Sequence, residues 1–90
     1  MPSIWIERLR ISQRVAEKIA DQHHIQPQEV RAAVERVEGL NFSWGHDPER
    51  GLRAIIDVQI QDENALVVVY PTENPMDHEW RLGSAYLIHG

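Results

Sequence analysis

The spacing of apolar residues changes from helical to strand-like near Gly39, and that change sets the fold class. Before it, apolar side chains recur at helical spacing, as in Val30, Val34 and Val37. After it, the segment from Leu52 to Ile60 places an apolar residue at every second position, which is typical of a strand with one buried face. Helices that precede strands, rather than alternate with them, predict an α+β fold.

Two helices are predicted in the first half of the chain. Ser12 is a suitable N-cap for a helix that runs to about His23, because its hydroxyl can accept an N–H of the first turn. Pro27 suits the first turn of a second helix, where a missing N–H has no partner to lose, and Gly39 is a natural end. Residues 3–11 alternate loosely and predict an N-terminal strand or extended segment.

The second half of the chain predicts three or four strands joined by turns. They cover residues 41–44, 52–61, 65–70 and 79–88, with loops at 45–51 and 71–77 and a tight turn at Asp62-Glu63-Asn64. Each helix has one apolar stripe that must be covered. We therefore expect the two helices to pack on one face of a three- to four-stranded antiparallel sheet.

Length and composition narrow the classes of protein that remain. Ninety residues predict a single domain spanning 1–90, and the absence of cysteine excludes disulfides, thiolate metal sites and cysteine nucleophiles. The longest apolar run, Ala65 to Tyr70, is far shorter than the roughly 20 residues of a membrane span, and no signal peptide is evident. A soluble, cytoplasmic protein that does not associate with membranes is the expectation.

The charge of the chain is unevenly distributed. The net charge is −5, and the whole deficit lies in residues 41–90, whereas residues 1–40 balance. A nucleic-acid-binding protein normally has a basic stripe, because neutralising phosphates supplies much of its affinity. Any contact with RNA would therefore need the few arginines to gather on one face.

Three segments are similar to a known superfamily. Residues 15–30 form a helix, a short break and a second helix opened by Pro27 and Glu29; His46-Asp47-Pro48-Glu49-Arg50-Gly51 precedes the long strand; and Trp80-Arg81-Leu82-Gly83-Ser84-Ala85 begins the last strand. In this order they resemble the RelE/BrnT-like toxins of bacterial type II toxin–antitoxin modules.

The resemblance implies an endoribonuclease that acts on free or ribosome-bound RNA by attack of a 2′-OH on the phosphate, neutralised by an antitoxin protein. This chemistry requires a base, a cation for the phosphate and an acid for the leaving oxygen. Residues of suitable type are His46, Arg50, Arg53, Arg81 and Tyr86. Tyr70 and His78 are further proton donors, no motif assigns the acid or the base, and no metal or cofactor is implied.

Two of these arginines have both a functional and a structural interpretation. Strand alternation places Arg53 on the polar face of the long strand and Arg81 on the side opposite Trp80, so both could hold one phosphate. Surface ion pairs are the alternative. Arg53 would then pair with Asp57, and Arg81 with Glu79 or Asp77.

Other functions stay open at this point. The acidic balance favours a non-catalytic interaction module of the same fold, either a homodimer or a partner-binding protein, and the chain could equally be an inactive member of the superfamily. A small-ligand or metal site at His46, Asp47 and His78 is a third hypothesis, although the five histidines have no His-x-x-x-His pairing. His46 and Asp47, before Pro48, also suit a structural turn.

Three tryptophans are many for so short a chain. Trp5, Trp44 and Trp80 are best interpreted as packing in the core or at a sheet edge. An exposed pair would instead indicate a surface for a partner or for base stacking.

Overall fold

Seven main elements follow one another in the computed structural model, which describes residues 3–88. They are β1 (Arg8–Arg10), α1 (Gln13–His23), α2 (Pro27–Val34), β2 (Asn41–Asp47), β3 (Gly51–Ile60), β4 (Glu63–Pro71) and β5 (Glu79–Leu87), with a 3₁₀ turn at Pro75–Asp77. The predicted α+β class is confirmed.

The sheet has five strands in the order β1-β5-β4-β3-β2. Strands β2 to β5 form an antiparallel meander, whereas β1 lies parallel to β5, with Leu9 opposite Trp80. The prediction of three to four antiparallel strands is corrected to five strands in a mixed sheet. The parallel pair brings residues 8–10 next to residues 79–81, which are far apart in the sequence. A strand of three residues has no local pattern that would indicate this pairing.

The start of α1 follows the prediction and the end of α2 does not. Ser12 is the N-cap of α1, and its Oγ accepts a hydrogen bond from the Val15 N–H at 3.2 Å. Helix α2 ends at Val34 instead of reaching Gly39. The cause is tertiary, because Arg36 adopts a left-handed conformation (φ 57°) and its N–H donates to the Ile6 carbonyl at 2.8 Å.

Two turns of the meander are tighter than predicted. Gln61 and Asp62 both have positive φ, which makes a two-residue hairpin turn between Ile60 and Glu63. Strand β2 continues through Asp47, so the predicted loop at 45–51 shrinks to three turn residues.

The core lies between the helices and one face of the sheet. Alternate strand residues supply one side of it, and each helix inserts its apolar stripe from the other. The fully buried members include Ile19 of α1, Val30 and Val34 of α2, Ala54 and Ile56 of β3, Val67 and Val69 of β4, and Ala85 of β5. We call the face of the sheet that packs against the helices the helix side, and the opposite face the open side.

Within residues 3–88, neither helix has the length and apolarity that crossing a membrane requires.

Candidate functional site

Three adjacent strands, β3, β4 and β5, carry neighbouring polar side chains on the open side of the sheet. Tyr70 of β4 is paired with Arg81 of β5. On the other flank, Arg53 of β3 precedes Ala54, which is paired with Val69. Alternation therefore places Arg53 and Arg81 on the same face, as the sequence suggested, but the ring of Tyr70 stands between them.

The position of Tyr70 depends on a missing side chain in β5. The strand register shifts between Val68 and Val69, and this leaves Gly83 beneath the Tyr70 ring. A Cβ on Gly83 would lie 2.3 Å from Cε2 of the ring, so only glycine permits this approach. The ring is buried, and the guanidinium carbon of Arg50 lies 5.5 Å from its centroid, a cation–π contact that holds Arg50 over β4.

Asp47 organises the turn that carries Arg50. Its Oδ1 accepts hydrogen bonds from the N–H groups of Glu49 (2.8 Å) and Arg50 (3.0 Å), and its Oδ2 accepts the Tyr70 hydroxyl at 3.4 Å. The pKa of Asp47 is lowered from its ordinary value, first by the Arg50 and Glu49 N–H groups and then by the Tyr70 hydroxyl and the Arg53 charge. Asp47 is thus an ionised residue with a structural role in the turn, in agreement with the prediction that Asp47 before Pro48 suits a structural turn.

Arg53 is committed to this turn as well. Its Nη1 lies 3.6 Å from Asp47 Oδ2, and no ion pair with Asp57 forms among the described residues. The predicted Asp57 pairing fails because residues four apart in a strand are separated by about 13 Å. The Nε of Arg53 is buried near Gly45 and has no hydrogen-bond partner within residues 3–88.

A cleft of about 510 Å³ opens where the start of α1 meets the β2–β3 turn and β5. Its lining consists of three arginines, one carboxylate and three smaller residues: Arg14, Arg50, Arg81, Glu49, Ser12, Val15 and Leu82. None of the three arginines has a carboxylate within 4.0 Å in the part of the chain that the structure describes. We call it the arginine cleft.

The predicted ion pair of Arg81 is prevented by another arginine. Arg10 of β1 contacts Glu79 Oε1 at 3.0 Å and Glu73 Oε1 at 3.3 Å. Arg81 is left to line the arginine cleft. Its charge also contributes to the lowered pKa of Glu73, after that residue's own N–H and the charge of Arg10.

A second cleft, of about 640 Å³, adjoins the first and shares Ser12 and Arg81 with it. Its other charged lining residues are Arg8, Arg10, Arg31, Arg36, Glu7 and Glu35. Arg10, Arg31 and Arg36 are held in ion pairs. Arg8 has no ion pair within 4.0 Å among residues 3–88, although it also lines a smaller cleft with Glu7, Asp77 and Glu79.

His46 and Tyr86 lie away from the arginines. His46 is paired with Leu52 and projects to the helix side, so the sheet separates it from Arg53. Tyr86 is paired with Leu66, and its ring centroid lies 5.9 Å from that of His23 at the far end of β5. The structure thus brings Arg50 and Arg81 to one cleft, with Arg53 beyond Tyr70, and does not bring His46 or Tyr86 to them.

The hypothesis of a metal site at His46, Asp47 and His78 has no geometric support. Within residues 3–88, no group of three or more His, Asp or Glu side chains is placed to hold a metal ion. His78 lies in the turn before β5, where its carbonyl accepts the Glu7 N–H at 3.0 Å.

Sequence reasoning missed Arg8, Arg14 and Glu49. Arg14 and Glu49 belong to the arginine cleft only because α1 packs beside β5, so that its first turn faces the β2–β3 turn. Local pattern does not encode that contact. The one available signal was the excess of arginine in residues 8–14.

Comparison with known proteins finds no family model, no curated protein and no solved structure that matches this chain. The similarity to RelE/BrnT-like toxins stays a prediction from three short segments.

Proposed function

We propose that this chain binds the phosphates of RNA along the two adjoining clefts and acts as the toxin-like endoribonuclease of a toxin–antitoxin module. The observation that carries the proposal is the convergence of Arg14, Arg50 and Arg81 on one cleft without ion-pair partners among the described residues. A chain of net charge −5 has few cations, and unpaired ones placed together repel one another. A bound anion relieves that repulsion.

The residue type also favours phosphate as the anion. A guanidinium presents a planar set of donors that matches two phosphate oxygens, and it remains charged at every relevant pH. Arg50 is further positioned by the Tyr70 ring and by the Asp47-capped turn, so less side-chain freedom is lost when it binds. The shared residue Arg81 joins the two clefts, and this continuity suits successive phosphates of one strand.

Glu49 takes the role of base in this proposal, in place of His46. It is the carboxylate that lines the arginine cleft. It removes the proton of a 2′-OH, O2′ attacks the phosphorus and the P–O5′ bond breaks. A water molecule protonates the leaving O5′ and takes up the proton held by Glu49, which restores both the water and the carboxylate. The products are a 2′,3′-cyclic phosphate and a free 5′-OH. Arg14, Arg50 and Arg81 stabilise the negative charge that accumulates on the phosphate oxygens.

Binding is tested first, with a fluorescent single-stranded RNA at low salt. The triple variant Arg14→Gln, Arg50→Gln, Arg81→Gln should bind at least about tenfold more weakly, because three phosphate contacts are lost. Lys18→Gln is the control, because it removes a cation outside both clefts. Equal affinity of the triple variant and the wild type would overturn the proposed site.

Cleavage is tested separately with Glu49→Gln. This variant should retain RNA binding, lose the cyclic-phosphate product and no longer inhibit growth on induced expression. The binding measurement distinguishes the two claims. If the wild type binds RNA but never cleaves it, the proposed binding site stands and the proposed catalytic activity is refuted. The protein would then be a non-catalytic binding module. The antitoxin of such a module would be a protein that competes with RNA for the clefts.

A further inference from the structure

The outer edge of β2 is unpaired along its whole length. Strand β2 spans seven residues, Asn41–Asp47, and every one of them is paired with β3 on the inner side. Within residues 3–88, no backbone group of β2 makes a hydrogen bond to any element other than β3. The outward N–H and C=O groups of this strand are therefore available to another strand.

The opposite edge of the sheet is closed. At β1, the Leu9 N–H donates to Glu35 Oε2 at 2.9 Å, and the Leu9 carbonyl accepts a hydrogen bond from Arg31 Nη1. Two side chains from α2 thus satisfy the outward backbone of the edge residue. The same fold protects one edge and leaves the longer one open.

Strand β2 also lacks the features that keep monomeric edge strands apart. Such edges commonly carry lysine, proline, a bulge or an inward-pointing charge. The sequence Asn-Phe-Ser-Trp-Gly-His-Asp has no lysine or proline, and its pairing with β3 runs without a register shift. Its one formal charge, Asp47, lies at the end of the strand.

The centre of β2 is an exposed tryptophan. Trp44 is the fourth of the seven residues, and 49% of its surface is exposed. Its ring contacts Phe42 edge-on at 5.2 Å and lies 6.2 Å from Trp80. Leu52, also 49% exposed, is paired with His46 on the same face and extends the apolar patch. Large aromatics with this exposure are typical anchors of protein interfaces.

We propose that β2 pairs antiparallel with β2 of a second copy of this chain, about a two-fold axis at Trp44, to form a continuous ten-stranded sheet. This register places Trp44 opposite Trp44, Phe42 opposite His46, and Asn41 opposite Asp47. Like charges do not meet anywhere along the pair, and each aromatic faces a ring of the other copy. The strand is thus complementary to itself, which argues for a second copy rather than an unrelated strand.

The first test is the oligomeric state of the wild type across a concentration series, measured by sedimentation velocity. We expect a reversible dimer. Trp44→Lys places two ammonium groups at the axis and removes the anchor, so dimerisation should weaken by at least about tenfold. Met76→Lys is the matched control, because Met76 is 89% exposed and lies outside β2. Ser43→Lys, at an exposed serine of the same edge, guards against a folding defect in the Trp44 variant and should also weaken the dimer.

The second test determines the register by disulfide cross-linking. Because the chain has no native cysteine, every cross-link must involve an introduced one. Residues directly opposite in an antiparallel pair have Cα atoms about 4.5–5.5 Å apart, within the range of a disulfide. Trp44→Cys should form a disulfide-linked dimer on mild oxidation. Phe42→Cys alone should not, because the two copies of residue 42 lie about 13 Å apart, whereas Phe42→Cys mixed with His46→Cys should.

A wild type that stays monomeric up to millimolar concentration would overturn the proposal. A dimer that survives both lysine variants, or cross-links equally at residues 42 and 44, would place the interface or the register elsewhere and would equally contradict it. If β2 binds only a different protein, the wild type alone would stay monomeric, and the proposal would be overturned.

Discussion

Replacing Gly83 by alanine probes the contact on which the position of Tyr70, and through it of Arg50, depends. The added Cβ would lie 2.3 Å from Cε2 and 2.9 Å from Cδ2 of the Tyr70 ring. Carbon atoms pack at about 3.5–4.0 Å, so the ring must retreat by more than about 1 Å. It has little room to do so, because it is 5% exposed, its hydroxyl bonds Asp47 and Arg50 lies over it.

The expected cost follows from this overpacking. Forcing an extra methyl group into a filled site destabilises a protein by about 1–3 kcal/mol. If Tyr70 is first replaced by valine, the obstructing ring is gone. Gly83→Ala should then be neutral or stabilising by up to about 1 kcal/mol, since glycine is unfavourable inside a strand. The coupling free energy between the two positions should therefore be about 1–4 kcal/mol, which is the cost in the wild type minus the neutral or stabilising effect in the valine background.

Urea denaturation followed by tryptophan fluorescence measures the wild type, the two single variants and the double variant. Gly45→Ala is the control, because its Cβ would meet only Ile55 Cδ1 at 3.2 Å and atoms of the Arg53 side chain, which can shift. We expect that change to cost less than about 1 kcal/mol. If Gly83→Ala costs the same with and without the Tyr70 ring, the proposed packing of the ring on β5 is refuted.

Three further changes test separate parts of the structure. The pKa of Asp47 is lower in the folded state, so its stabilising contribution is present above its ordinary pKa of 3.8 and is lost as the pH falls through the folded value; an acid titration of Asp47→Asn should show a weaker loss of stability below that pH than the wild type. Ser12→Ala removes the α1 N-cap bond and should lower the free energy of unfolding by about 0.5–2 kcal/mol, whereas Ser3→Ala, outside any helix, should leave it unchanged. Glu35→Gln weakens the contacts with Leu9 N–H and Arg31 that close the β1 edge, and a loss of about 1–3 kcal/mol in urea denaturation is expected; no change would mean that these contacts do not stabilise the edge.

Local sequence signals predicted the elements well where one local interaction decides the conformation. Ser12 caps α1 because its hydroxyl reaches an N–H three residues on, and the alternation from Ala54 to Ile60 reflects burial of a single face. The sequence failed where a distant segment decides. Helix α2 stops at Val34 because Arg36 donates to Ile6, and the extended segment predicted at residues 3–11 gave no sign that residues 8–10 pair with β5.

The same distinction explains the candidate site. Alternation was enough to place Arg53 and Arg81 on one face, because both strands belong to the meander. It was not enough to show that Tyr70 separates them, since that depends on Gly83 and a shift of register. The sequence predicts a loop at His46, whereas β2 extends through this residue, and alternation then directs its side chain to the helix side.

The salt dependence of RNA binding is the most direct test of the phosphate-binding role of the arginine cleft. Each phosphate of a single strand that is neutralised contributes about 0.7 to the slope of log K against log salt concentration. Removing Arg14, Arg50 and Arg81 together should therefore reduce the slope by about 2. If the wild type and the triple variant give the same slope and the same affinity, these arginines do not contact phosphate.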